Sequence, residues 1–289
     1  MSTSSPPPLP ALPARPRDGH KGTFGHVLCL AGSAAYPGAA VLCARAALRG
    51  GAGLVTLAHP RSIHVTAAAQ LVCEIALALD EVDGAFAAWG AAEAVRLADE
   101  RDAVALGPGI SREPEAAAFA RAVGIEAVRP TVIDADGLNA FEGHAADLRE
   151  ARGPRILTPH PGEAARLLGS SAADVRSDPA AAALELAART AAVVVLKGAP
   201  THVTDGVRTR RNTTGNPGLA TGGTGDVLTG LVAALLAQGL APFDAAALGA
   251  HLHGLAGDLA AARLGEHGMI ATDVLDHLPA AFVEHARTG

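Results

Sequence analysis

Short apolar runs that end on glycine or aspartate recur along this 289-residue chain, with Ala-rich stretches between them. The runs cover residues 26–31, 54–58, 103–106, 131–134, 155–158 and 192–196. Runs of this length and composition suit strands buried on both faces of a parallel sheet. The stretches between them, such as 39–49, 115–123 and 179–190, carry helical spacing. Alternation of this kind predicts an α/β fold, a doubly wound α/β/α sandwich with a mostly parallel central sheet. A hairpin is expected after the last run, with 201–204 and 207–211 joined at Asp205-Gly206. Neither a repeat nor a linker divides the chain. We therefore expect a flexible N-terminal tail over 1–18, rich in Pro and Ser, and a single domain over 19–289.

Aromatic residues make up only 3% of the chain, so Ala, Val and Leu must fill the core, and abundant Ala and Gly predict close helix packing. The formal charge of −6 and the lack of a basic stripe argue against nucleic acid as a partner. Cys29, Cys43 and Cys73 lie in apolar segments without metal-ligand spacing and read as small core residues. The N-terminus lacks a signal-peptide core, and no segment reaches the roughly 18 consecutive apolar residues of a membrane span. These readings together predict a cytoplasmic location.

In an open α/β sheet, ligands bind beyond the carboxyl ends of the strands. The chemically distinctive residues fall at that edge: Gly107-Pro108-Gly109, then Asp134 to Asn139, then Thr158 to Glu163, then Lys197 to Pro200. The densest signal is the glycine-rich run from Asn216 to Asp226, which opens an apolar stretch, 227–238, with a helix stop expected at Gly239. Amides at a helix N-terminus form an anion site. A carboxylate beside that site suits phosphoryl transfer, with Asp226 as base for an attacking hydroxyl. The bland alternative makes Asp226 a helix N-cap in a glycine-rich turn.

The ordered blocks carry a family resemblance. KGTFGHVLCLAGS at 21–33, PGAAVLCARAALRGGAGLVTL at 37–57, LGPGI at 106–110, DADGLNA at 134–140, TPHPGE at 158–163, LKGAPT at 196–201 and NPGLATGGTGDVLTG at 216–230 appear in order. From Lys21 to about Asp258 the chain resembles the NAD(P)H-hydrate dehydratases, carbohydrate-kinase-like members of the ribokinase superfamily. The resemblance implies a ribokinase-like fold and repair of a damaged cofactor, NADH or NADPH hydrated across a ring double bond (NADHX, NADPHX). Phosphorylating the ring hydroxyl turns a poor leaving group into a good one, and phosphate elimination restores the ring. By resemblance, Asp226 is the general base, and Gly222, Gly223, Thr224 and Gly225 give amides to the phosphoryl group. Lys197, Gly198, Ala199, Pro200, Thr201 and Gly225 line the adenine-nucleotide site. Ala39, Gly107, Gly109, His160 and Asp226 contact the hydrated dinucleotide, and Glu163 organises Mg²⁺ and its waters. The nucleotide is expected to be ADP, with ATP as the other candidate, and AMP and phosphate as products.

Simple turn geometry is the alternative for Ala39, Gly107 and Gly109, a solvated strand-end position for Lys197, and a favourable first-turn charge for Glu163. Asp134 and Asn139 could bind substrate, water or helix amides. His20, His26, His251 and His253 show no metal-ligand pattern and are expected to be structural. Asn212-Thr213-Thr214 matches a glycosylation pattern without meaning in the cytoplasm. Gly50-Gly51-Ala52-Gly53 ends a helix and leads into a strand, so it is not a dinucleotide fingerprint. Only about twenty residues precede the first block. A separate epimerase is therefore expected to convert the R hydrate to the S form. Resemblance also implies a homotetramer. The rival functions are a kinase of a vitamin-precursor alcohol, as in hydroxyethylthiazole kinase, and a non-catalytic nucleotide sensor.

Overall fold

The structure, a computed structural model, describes residues 8–288. Its strands in chain order are β1 (His26–Leu30), β2 (Leu54–Pro60), β3 (Ile75–Leu79), β4 (Glu81–Val82), β5 (Ala85–Phe86), β6 (Ala103–Leu106), β7 (Thr131–Ile133), β8 (Arg155–Leu157), β9 (Val193–Leu196), β10 (Thr201–Thr204) and β11 (Thr209–Asn212). The helices are α1 (Pro37–Arg49), α2 (His64–Ala68), α3 (Ala91–Asp99), α4 (Pro114–Glu126), α5 (Asp136–Asn139), α6 (Pro161–Leu168), α7 (Ala172–Ser177), α8 (Pro179–Thr190), α9 (Thr224–Ala237), α10 (Pro242–Leu264) and α11 (Ala271–Thr288).

Nine strands form one sheet in the order β11-β10-β9-β8-β7-β6-β1-β2-β3. All pairs are parallel except the two made by β10, which runs antiparallel to β9 and β11. The chain winds outward from β1 to β3, then restarts at β6 on the other side of β1. This reversal is the topological switch point of a doubly wound sheet. Alternate strand residues feed two cores, as period-2 geometry requires. Val27, Cys29, Ala103 and Ala105 face α1, α9, α10 and α11, while Leu28, Leu30, Val104 and Leu106 face α3 to α8.

Small side chains let the helices approach closely. A Cβ at Gly230 on α9 would stand 2.0 Å from the Cys43 carbonyl oxygen on α1. Helix α9 is buried nearly all round, which explains an apolar stretch without a polar face. Gly239 follows it at φ +93°, the left-handed stop that glycine favours.

Some expectations need correction. The described part of the expected flexible tail, residues 8–18, lies against the domain; residues 1–7 lie outside the described residues. Leu9 and Leu12 pack on the core, and Arg15 donates to Gly51 O at 2.8 Å and covers the Phe24 ring. Cys73 is exposed, unlike buried Cys29 and Cys43. The β10–β11 connection is longer than Asp205-Gly206, because Asp205 Oδ1 accepts from the amides of both Val207 and Arg208 and closes a wider turn. No helix among the described residues is long and apolar enough to cross a membrane.

Candidate active site

Helix α9 starts behind Gly223, its N-cap, at φ +94°. Glycine takes that conformation without steric cost. No side chain caps the helix, so its first amides remain available at the positive end of the helix dipole. Nothing lies within 4 Å of where a Cβ on Gly222 would stand. A Cβ on Gly225 would meet Asp134 Oδ2 and Lys197 Nζ, each at 3.3 Å. The turn therefore faces the ends of β7 and β9.

Asp226 sits within the first turn of α9 rather than at its cap, so the N-cap alternative falls. Burial pushes its carboxyl up to about 7, nearby Asp134 adds to the push, and Lys197 opposes it. Its surroundings hold its pKa near neutrality, where a general base exchanges protons most readily.

Lys197 directly follows β9. Its Nζ donates to Asp134 Oδ1 at 2.8 Å and lies 3.8 Å from Glu163 Oε2. Burial works to lower its pKa, but Asp134 and Glu163 outweigh it and hold the ammonium above its ordinary value. Thr229 Oγ1 donates to the other Asp134 oxygen at 2.8 Å. Asp134, only 1% exposed, thus ties the sheet edge to α9.

His160 caps α6. Its Nδ1 accepts from the Gly162 amide at 2.9 Å, and Glu163 Oε2 accepts from the His160 amide at 2.8 Å, a reciprocal capping box. Burial lowers the imidazole pKa, with Lys197 and Arg166 adding to the effect. The ring is neutral, and its hydrogen sits on Nε2. Burial raises the Glu163 carboxyl, chiefly against the pull of Lys197.

A cavity of about 950 Å³ opens beyond the strand ends. Its wall brings together His160, the Lys197–Thr201 segment (Gly198, Ala199 and Pro200 included) and Gly223 to Asp226. Ala39, Gly107 and Gly109 are not part of that wall. They cluster instead at the switch point, where a Cβ on Gly109 would stand 2.9 Å from the Ala39 Cβ. Turn geometry accounts for both glycines: Gly107 lies at φ +121° with Asp134 O 2.0 Å from any added Cβ, and Gly109 at φ +65°.

Glu163 is likewise absent from the wall. Its oxygens are engaged by the His160 amide and lie near Lys197 and the His160 ring. A direct metal bond from Glu163 does not fit these surroundings. No cluster of three His, Cys, Asp or Glu suited to a metal occurs among the described residues.

Local sequence missed three features. Asp134 had no assigned partner, because Lys197 and Thr229 lie 63 and 95 positions away. His253, expected to be structural, lines the cavity and bonds the Thr224 carbonyl. Asn212 and Thr214, dismissed as a glycosylation pattern, also line it. Asn139 is no longer open: Arg166 Nε donates to its oxygen at 2.9 Å.

An uncapped glycine-rich helix start, a near-neutral carboxylate in its first turn and a charged lysine opposite, all at one edge of a doubly wound sheet, place the chain among ribokinase-like α/β proteins. Comparison with known proteins narrows the class. Residues 27–280 match the carbohydrate-kinase family model described as NAD(P)H-hydrate dehydratase. The chain is 46% identical over 272 residues to the bifunctional NAD(P)H-hydrate repair enzyme of Moorella thermoacetica, covering 93% of this chain and 51% of that protein. It is 40% identical over 283 residues to the repair enzyme of the same name from Thermofilum pendens, covering 97% and 53%. The chain thus spans about half the length of these curated relatives. The crystal structure of the ADP/ATP-dependent NAD(P)H-hydrate dehydratase of Bacillus subtilis, co-crystallised with ATP and Mg²⁺, superposes with a TM-score of 0.80 at 30% identity, covering 95% of this chain and 94% of that one. The chain belongs to the NAD(P)H-hydrate dehydratase family.

Proposed function

We propose that this protein dehydrates the S form of NADHX and NADPHX to NADH and NADPH, with ADP as phosphoryl donor and AMP and phosphate as products. The carrying observation is Asp226, a carboxylate held near neutrality in the first turn of an uncapped helix that faces Lys197. Asp226 takes the proton of the ring hydroxyl, and the freed oxygen attacks the terminal phosphorus of the nucleotide, whose bond to the bridging oxygen breaks so that AMP leaves with the bonding pair. Charge developing on the phosphoryl oxygens meets the amides of Gly223 to Gly225, donors of a kind usually worth about 3 kcal/mol each. The ring C–O bond then breaks, phosphate leaves with the bonding pair, and the neighbouring ring carbon loses a proton to water, its C–H electron pair restoring the double bond.

Lys197, with Gly198, Ala199, Pro200 and Thr201, would hold the nucleotide. The hydrated ring would lie towards His160, Ala39, Gly107 and Gly109. Mg²⁺ would be held by the nucleotide phosphates and water, with Glu163 acting on it at most through water; it would supply charge neutralisation at the phosphates.

A separate epimerase, a homotetramer and a cytoplasmic location belong to the same proposal. The exposed apolar side chains Val65, Val72, Ile75 and Trp89, on β3 and the segments beside it, support self-association. Light scattering tests the tetramer. Equal repair of both hydrate epimers, faster than they interconvert spontaneously, would remove the need for an epimerase.

The decisive measurement is absorbance at 340 nm after mixing protein, Mg²⁺ and NADHX with ADP, with ATP or with neither. A nucleotide-dependent rise with phosphate released is expected, faster with ADP. No rise from a folded protein that binds nucleotide would shift the reading to a kinase of another alcohol. That alternative shares the glycine turn and the base, and the family match weighs against it.

A further inference from the structure

His253 stands midway along α10 and reaches the first residue of α9. Its Nε2 lies 2.9 Å from Thr224 O. A carbonyl oxygen only accepts, so Nε2 carries the hydrogen. Burial lowers the imidazole to about 4, so the ring is neutral and the bond does not depend on an added charge. In a trans peptide, the carbonyl and the following N–H point in opposite directions. The Thr224 carbonyl shares its peptide unit with the Gly225 amide. Pinning that carbonyl therefore sets where the Gly225 N–H points, and a hydrogen bond on one side of a peptide strengthens the donor on the other.

The rest of the loop is fixed to the same helix. Asp258 accepts from the Gly215 amide and from Asn216 Nδ2, each at 2.9 Å. Thr214 Oγ1 donates to His251 O at 2.8 Å. A Cβ on Gly254 would stand 2.6 Å from the Thr214 backbone, so only glycine there allows so close an approach. Helix α10 is thus the reference against which the anion-binding turn is set, and His253 is its contact nearest the anion site.

We infer that His253 is a positioning residue for the phosphate site, aiming the Gly225 amide at the bound phosphoryl group. This deepens the proposed function and rests on it for the identity of the anion.

Calorimetric binding of ADP and of adenosine to the wild type, His253→Leu and His253→Gln tests the inference. Leucine removes the donor, whereas glutamine offers an amide N–H at similar reach. His253→Leu is expected to weaken ADP about tenfold and to leave adenosine within about twofold. It should also lower kcat by roughly tenfold to a hundredfold with little change in KM for the hydrated dinucleotide, and His253→Gln should recover most of both losses. Equal weakening of ADP and adenosine would place His253 on the nucleoside and overturn the inference. So would unchanged ADP affinity and kcat in folded His253→Leu. Should that variant not fold, His253→Asn, which is polar but too short to reach Thr224 O, takes its place with the same expected losses and the same overturning results. A wild type that binds neither ADP nor ATP would sink both this inference and the functional reading. A wild type that binds ADP in a His253-dependent way but repairs no hydrate would sink only the functional reading.

Discussion

At the scale of single residues, the chemistry concentrates on Asp226. Two effects compete for its proton: burial and Asp134 favour the neutral acid, and Lys197 favours the ion. Burial and Asp134 prevail, and the balance near 7 leads to an activity prediction. In the free enzyme kcat/KM should rise with pH through about 7 and level off above it, as the base ionises. Asp226→Asn should lower kcat by roughly a hundredfold to ten-thousandfold while leaving ADP affinity within a few-fold. A variant that kept more than a tenth of wild-type kcat would remove Asp226 from the mechanism. The same raised value acts on stability. A carboxyl held above its ordinary 3.8 binds its proton more tightly in the folded chain, so its stabilising contribution is complete below about 3.8 and is lost as pH rises through about 7. Asp226→Asn should therefore melt above the wild type at pH 8, by an upper bound near 4 kcal/mol, with the gap closing towards pH 4. A gap independent of pH would show that the carboxylate carries no such strain. The position of Asp226 was legible from its glycines, but its proton affinity was not, because that depends on Asp134, 92 positions earlier in the chain.

At the scale of elements, packing decides against intrinsic preference. Gly230 lies inside α9, where alanine would ordinarily gain about 1 kcal/mol. Here the added Cβ would stand 2.0 Å from Cys43 O and 2.9 Å from the Ala46 Cβ, both on α1. Forcing the two helices apart should cost about 1–3 kcal/mol net. Thermal melting of Gly230→Ala should show this as a lower midpoint, and a rise would mean that the helices have room to spare. Arg155 does comparable work at the far edge of the sheet. Only 3% exposed, it donates to Gly124 O at 2.6 Å, Ala127 O at 2.5 Å and Arg129 O at 3.1 Å, so the end of α4 and the start of β7 hang on one guanidinium. Arg155→Met removes the side-chain donor from the Gly124 and Ala127 carbonyls, leaving Arg129 O with Thr131 Oγ1 at 3.0 Å, and should cost about 2–4 kcal/mol. Because Arg155 opens β8 while the site lies beyond the carboxyl ends of the strands, kcat/KM of the folded variant should stay within about twofold; a larger loss would contradict the separation of the two edges. The buried parallel strands were readable because burial on both faces forces unbroken apolar runs. Strand β3 was not read, since as an edge strand it is only half covered and Ile75 is 49% exposed. Strands β4 and β5 have two residues each, too few to show a period even though Asp83-Gly84 joins them.

At the scale of the whole molecule, stability and function occupy opposite edges of one sheet. The amino ends of the strands are closed by Arg155 and neighbouring backbone bonds. The carboxyl ends instead collect Asp134, Glu163, Lys197 and Asp226, three carboxylates around one cation in a partly buried place. That arrangement leaves the uncapped amides of α9 without a partner while a carboxylate beside them is forced towards neutrality. The first condition is relieved if a phosphate group enters and brings its charge to the amides and Lys197. The cavity wall draws on the loops after β7, β8 and β9, on the start of α9 and on α10, so a ligand there ties together elements that converge only in the folded chain. Binding must then stabilise the fold globally. At a hundred times the dissociation constant, ADP should add about 2.7 kcal/mol, which for a chain of this size is a rise of roughly 4–8 °C in Tm. Lys197→Met should abolish most of that rise. It should also lower the ligand-free midpoint, because Asp134 and Glu163 would lose the cation that lies 2.8 and 3.8 Å from them, a loss of about 3–5 kcal/mol. Calorimetric scans with and without ADP separate the two effects. An undiminished rise in Lys197→Met would mean that the phosphates rest on the α9 amides alone, with the lysine serving only to hold its carboxylates in place.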